Sequence, residues 1–238
     1  MKILALDSTA KVAAVAICED EKLLASFVCD NGLTHSEILL PMAEDAMKRT
    51  KIELSDIELF ACNAGPGSFT GVRIGASVIK GLAFGRDIPC IPVSTLDSLA
   101  QNLFPLDGIY CPVMDARRNQ VYNALYRCEN GVLTKLTDDR AISLDDLATE
   151  LCKNYANEKI YLSGDGYALA FSYLEKKGVP LCKTPSNLID QNAHSTAVCA
   201  LRLFNGGDRT TDSSLSPTYL RMPSAERERL EKLGALQK

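Results

Sequence analysis

Ala61-Cys62-Asn63-Ala64-Gly65-Pro66-Gly67-Ser68-Phe69-Thr70-Gly71-Val72-Arg73-Ile74-Gly75 is the stretch on which the reading of this chain turns. Before it, Ile57 to Cys62 has the make-up of a short buried strand; after it, Val72 to Phe84 reads as a helix. The turn between them holds Gly65, Pro66 and Gly67, which force a sharp reversal. Ser68 or Thr70 is placed to cap the free amides of the new helix.

The helix itself is unusual. Its polar side chains are Arg73, Ser77 and Lys80, while apolar residues point in every direction, and a helix apolar all round must be covered all round. Gly71, Gly75, Gly81 and Gly85 add a cost of about 1 kcal/mol for each interior glycine relative to alanine. Close backbone approach by another helix is the expected offset. Two readings stand: the central helix of one large core, or a rod with one side on its own sheet and the other against a neighbour. A length of about 15 residues and two cations argue against a membrane span.

The 238 residues suffice for one or two domains with a real core, and 46% apolar with 24% charged is an ordinary soluble composition. A net charge of −4 gives no global attraction for phosphate backbones, so any work on nucleic acid would need another subunit's grip. Nine cysteines without a C-x-x-C pair, mostly in apolar segments, read as small hydrophobes in a reducing cytoplasm. No signal peptide is read at the start, because Asp7 interrupts the first apolar run.

In order, Lys2 to Asp7, Val12 to Ile17 and Leu23 to Val28 are three strands of an antiparallel meander. A helix from about Glu37 to Thr50 follows, capped by Thr34 or Ser36; then come the strand, turn and helix above, a strand at Cys90 to Val93 and a helix from Ser94 to about Leu103. The second half repeats this. Strands at Ile109 to Asp115, Gln120 to Tyr126 and Val132 to Leu136 precede a helix (Leu144 to Lys153), a strand (Lys159 to Leu162), a Gly turn and a helix (Tyr167 to Lys177). Two copies of β-β-β-α-β-α make a strong internal repeat. The expected division is 1–104, 105–214 (with a late helix from Asn192 to Phe204 and a flexible polar link from Gly206 to Ser214), and a tail at 215–238 with a charged helix from Ser224.

Two such units, each opening on a strand–Asp–turn–strand hairpin, resemble the actin/Hsp70/sugar-kinase superfamily of duplicated ribonuclease-H-like α/β domains. There, paired hairpin turns hold phosphates and the first-strand aspartate organises Mg²⁺. Asp7, Ser8 and Thr9 stand as a candidate nucleotide-binding remnant. The second hairpin, Asp115-Ala116-Arg117-Arg118-Asn119, departs from the pattern, having no glycine to bring backbone amides near a phosphate.

A narrower likeness rests on Ile3-Leu4-Ala5-Leu6-Asp7-Ser8-Thr9, Thr34-His35-Ser36-Glu37-Ile38-Leu39-Leu40-Pro41, the opening Asn63 to Gly75 run, and Val93 to Leu99. Over Met1 to about Leu99 these resemble the TsaB (formerly YeaZ) family, bacterial partners in making N6-threonylcarbamoyladenosine at position 37 of tRNA. Pro217-Thr218-Tyr219-Leu220-Arg221 is a weaker terminal echo. The catalytic paralogue TsaD transfers the threonylcarbamoyl group using a metal held by a His-x-x-x-His pair. In this chain Thr95 and Leu99 fall at those positions, and neither can hold a divalent transition metal. His35 and His194 lie far apart without an i,i+4 partner; His35 reads as a turn or cap residue. The Gly turn is not a Walker A loop, a dinucleotide fingerprint or a G-x-S-x-G elbow.

The resemblance implies a non-catalytic subunit with no catalytic residue, metal or cofactor of its own, which binds TsaD and keeps it active and soluble. TsaE, an ATPase, would join the assembly, a second copy would replace TsaD in its absence, and tRNA would be reached only indirectly. The interface is expected on Leu39, Met42, Ala46, Gly71, Val72, Gly75, Ile79 and Leu82. Two alternatives from other classes are a weak nucleotide phosphohydrolase using Asp7, and a self-contained homodimer with an unrelated ligand in the interdomain cleft.

Overall fold

The computed structural model describes residues 1–221, so the charged helix expected from Ser224 lies outside them. In the first half, β1 (Lys2–Asp7), β2 (Ala13–Glu19) and β3 (Lys22–Cys29) form the antiparallel meander. β4 (Leu59–Gly65) and β5 (Cys90–Ser94) extend it in parallel, giving the order β3-β2-β1-β4-β5. β1 and β4 are buried on both faces, which is why each reads as an unbroken apolar run. One face carries α1 (His35–Thr50) and α2 (Phe69–Ala83), with Leu39, Ala43, Ala46, Ala76 and Ile79 against Leu4, Leu6, Phe60 and Cys62. α1 begins where the Thr34 N–H and hydroxyl both donate to the Glu37 carboxylate, at 3.0 and 2.8 Å. Of the two candidate caps for α2, Ser68 serves, its Oγ accepting from Gly71 N at 3.2 Å.

The second half repeats the frame. Its strands are β6 (Gly108–Asp115), β7 (Gln120–Asn123), β8 (Tyr126–Glu129), β9 (Val132–Lys135), β10 (Arg140–Ser143), β11 (Ile160–Ser163) and β12 (Leu181–Cys182), with α4 (Leu144–Asn154) and α5 (Tyr167–Lys176). The order β10-β7-β6-β11-β12 matches the first sheet strand for strand, so the fold is the duplicated ribonuclease-H-like α/β fold. Two local expectations change. The run expected as one strand over Gln120 to Tyr126 breaks into β7 and β8, because Pro112, in mid-β6, has no N–H for the ladder. Asn123 fills the gap, its Nδ2 donating to the Pro112 and Ala124 carbonyls at 3.0 and 3.1 Å. The third strand of the repeat is therefore β10, which pairs with β7, while the expected Val132 to Leu136 strand is β9, the outer half of a hairpin with β8.

α3 (Thr95–Leu103) bridges the halves: Leu96, Leu99, Ala100 and Leu103 pack on Tyr110, Met114, Ala124 and Tyr126. Beside it Lys135 Nζ donates to Asp97 at 2.7 Å and Asp139 at 2.6 Å, and Tyr126 donates to Asp97 at 2.6 Å. α6 (Ala193–Asn205), expected with the unit 105–214, packs on the open face of the first sheet instead, with Ala193, Ala197 and Ala200 against Ile3, Ala5, Ala14 and Ala61. That face is lined by alanines, and only a helix of small residues can lie so close to it. The link expected to be flexible is tied down: Cys90 N donates to Thr210 O at 2.7 Å, and Leu215 is buried in the first core. No helix among the described residues is long and apolar enough to cross a membrane.

Candidate functional site

The glycines of the opening stretch do not wait for a neighbouring helix; they face this chain's own β1–β2 turn. A Cβ on Gly67 would lie 2.5 Å from Thr9 O, one on Gly71 1.9 Å from Ser8 O, and one on Gly75 2.6 Å from Ser8 Oγ. Hydrogen bonds close the contact, with Ser8 Oγ donating to Gly71 O at 2.8 Å and Ser68 N to Thr9 O at 2.7 Å. Gly81, by contrast, has open space where its side chain would be.

This knot uses up the candidate nucleotide remnant. Asp7, Ser8 and Thr9 are all buried. Asp7 Oδ1 accepts from Thr9 N at 2.9 Å and Thr9 Oγ1 at 2.7 Å, and Oδ2 accepts from Asn63 Nδ2. Burial pushes the Asp7 carboxyl up from 3.8 to about 6, against those hydrogen bonds. The turn thus latches β1 onto α2, with no room for a side chain at Gly67, Gly71 or Gly75 beside Ser8 and Thr9.

The segment from Ser94 to Leu99, where the resemblance expects the paralogue's metal-ligand pair to align, is packed as well. Ser94 caps α3, while Thr95 and Leu99 are buried, Leu99 among the residues that join the two halves. His35 opens α1 with Nε2 2.6 Å from Ala10 O, and His194 lies elsewhere, 2.9 Å from Glu21 O. Without a glycine, the second hairpin reverses through three successive left-handed residues, Arg117, Arg118 and Asn119, at φ of 65°, 56° and 55°. Arg117 pairs with Asp115 at 3.2 Å from an exposed position.

The residues expected at the interface divide by burial. Leu39, Ala46, Val72 and Ile79 are buried within the first half, and Gly71 and Gly75 are closed off by Ser8. Only Met42 and Leu82 retain exposure. The sheet draws in the richest apolar stripe of each helix, so what remains outside is the weaker one. That outer stripe is still apolar: Phe84 is 81% exposed and Leu40 41%, with Ile74 and Val78 partly exposed around a shallow depression between α1 and α2. Periodicity alone could not say which stripe would be left over.

A cleft of about 1370 Å³ separates the halves, with Lys11, Phe69 and Thr70 on one wall and Asp115, Arg118 and Tyr122 on the other. Residues 215–221 cross it as a strap. Thr218 N donates to Ala64 O at 2.7 Å, and Gly65 has no room for a side chain because Thr218 O lies 2.4 Å from where its Cβ would be. Tyr219 stacks on Phe69, with centroids 5.0 Å apart, and Arg221 bonds Gln120 on the far wall.

The model of the family described as TsaD, tRNA N6-adenosine threonylcarbamoyltransferase, matches residues 32–199. The tRNA threonylcarbamoyladenosine biosynthesis protein TsaB of Bacillus subtilis is 30% identical over 97% of this chain and 99% of its own length. Its Escherichia coli counterpart is 32% identical over 93% and 95%. The structure of YeaZ from Pseudomonas aeruginosa superposes with a TM-score of 0.74 at 25% identity, covering 92% of this chain and 99% of that one. Full-length similarity of this kind, on a shared duplicated fold, establishes that the chain belongs to the TsaB family, within the wider group that the threonylcarbamoyltransferase model describes.

Proposed function

We propose that this chain is the non-catalytic subunit of the assembly that makes N6-threonylcarbamoyladenosine in tRNA, and that its first unit, about residues 1–104, docks on TsaD and holds it in an active, soluble form. The observation that carries this reading is the apolar surface that α1 and α2 leave uncovered: Ile74 and Val78 line the depression, Leu40 is exposed on α1, and Phe84 is exposed just after α2. A non-catalytic role is supported by how the candidate catalytic positions are spent: Asp7 on its own turn, Thr95 and Leu99 on packing. A second copy would use the same stripe in TsaD's absence; TsaE would join the TsaD complex, and tRNA would be held by TsaD.

The test is Val78→Glu, at a half-buried position of α2, with Ser77→Glu at the exposed neighbouring position as a second variant, thermal unfolding as the check on folding and co-purification of TsaD as the readout. Both variants fold normally and lose TsaD; retention of TsaD at wild-type levels overturns the reading. Gly75 and Ile79 are unsuitable targets, because their replacement breaks the first half's own packing.

A further inference from the structure

Arg73 stands at the one place where the outer stripe of α2 meets the strap. Its guanidinium lies over the Phe69 ring, with Cζ 3.7 Å from the centroid, and its Nε donates to the Tyr219 hydroxyl at 2.8 Å. Tyr219 flanks it, with its ring centroid 5.7 Å from Cζ. The two terminal nitrogens make no hydrogen bond or ion pair among the described residues, and the side chain is exposed in the depression lined by Ser36, Thr70, Ile74, Ser77 and Val78. A long exposed arginine is ordinarily free to sample many rotamers. This one is gripped on its face by an aromatic ring and on one edge by a phenol that comes from 146 residues away.

We infer that Tyr219 is a positioning residue which holds Arg73 as the polar anchor of the docking stripe, to be met by a carboxylate of the docking protein. The inference deepens the proposed function and rests on it. Covering the stripe with an apolar partner face takes the guanidinium out of water, and a buried unpaired charge is heavily penalised. Tyr219 is neutral and engages only Nε, and no carboxylate among the described residues pairs with the guanidinium, so the docking protein supplies the anion. A carboxylate can pair with both terminal nitrogens at once, a geometry that lysine cannot reproduce. Because the tether is on the strap, residues 215–221 become part of the recognition surface without themselves needing to touch the partner.

The experiment is a double-mutant cycle on the full chain, with TsaD affinity measured by calorimetry and folding checked by thermal unfolding. Tyr219→Phe keeps the ring and removes only the hydroxyl; it weakens TsaD binding roughly fivefold. Arg73→Lys keeps the charge but loses the fork and weakens binding about tenfold, and adding Tyr219→Phe to it costs nothing further. A strap acting only through general stability gives additive effects and a lowered Tm, which overturns the inference. Val78→Glu separates the two claims. If Val78→Glu loses TsaD while Arg73→Lys and Tyr219→Phe bind like wild type, the anchor is wrong and the docking stripe stands. If Val78→Glu binds normally, both fail.

Discussion

Ser8 lies directly under Gly71: its hydroxyl donates to the Gly71 carbonyl at 2.8 Å, and its own carbonyl occupies the position a Gly71 side chain would need. One contact therefore explains why a helix otherwise rich in core residues tolerates glycine. Gly71→Ala forces backbone against backbone and is expected to cost about 3 kcal/mol or more in urea unfolding. Gly81→Ala, in the same helix with open space around it, should stabilise by about 1 kcal/mol. Equal effects at the two positions would show that propensity, not the Ser8 contact, governs both.

Asp7 gives the fold a pH dependence of unusual sign for a carboxylate. Its folded-state value, about 6, lies above the unfolded 3.8, so the native chain holds the proton more tightly. The stabilisation from protonation is complete below the unfolded value and is lost as pH rises through about 6, a difference of roughly 3 kcal/mol. Asp7→Asn stays uncharged and can still accept from Thr9. Stability of this variant minus wild type should grow by roughly that amount between pH 4 and pH 7.5, then level off. A flat difference across the range would mean that the carboxyl titrates as it does in water.

The hairpin at Arg117 to Asn119 holds three side-chain-bearing residues in the left-handed region. Each conformation of this kind costs about 1 kcal/mol for a residue with a Cβ. Arg118→Gly is expected to raise stability by about 1 kcal/mol, read from the urea midpoint at unchanged slope. No gain would show that the arginine makes a compensating contact.

Lys135 braces the two halves through Asp97 on α3 and Asp139 before β10. Although burial works to lower it, the Lys135 ammonium is held above its ordinary value by the Asp139 and Asp97 carboxylates. Lys135→Met and Asp97→Asn, singly and together, should show a coupling of about 1 kcal/mol in thermal unfolding, more than an isolated surface pair supplies because three groups share the site. Strict additivity would mark the brace as incidental.

The frame of this protein was legible because it is local. β1 appears at its predicted bounds, Ser68 caps α2, and the duplicated order of elements follows from runs of apolar residues and their turns. What escaped was set by contacts distant in sequence. Nothing in the spacing of Gly71 and Gly75 says that their neighbour is a serine 63 residues earlier, so the glycines read as gaps for another protein. Leu39 and Ile79 were the most apolar candidates for the interface, and for that reason their own sheet claimed them. Pro112 was visible, but its effect falls on the neighbouring strand, where β7 gives way to β8. Tyr219 carried no periodic signal at all, since a short extended segment declares neither its course nor its destination.

α6 and Leu215 have a consequence for how this chain is made. The first sheet emerges from the ribosome as residues 2–94, yet one of its faces is roofed by residues 193–205 and its core is stoppered by Leu215. A nascent chain released from the exit tunnel in order must carry a half-wet sheet through most of synthesis, since domains otherwise tend to fold from the N-terminus as they appear. The N-terminal half is thus the first to be translated and the last to be finished.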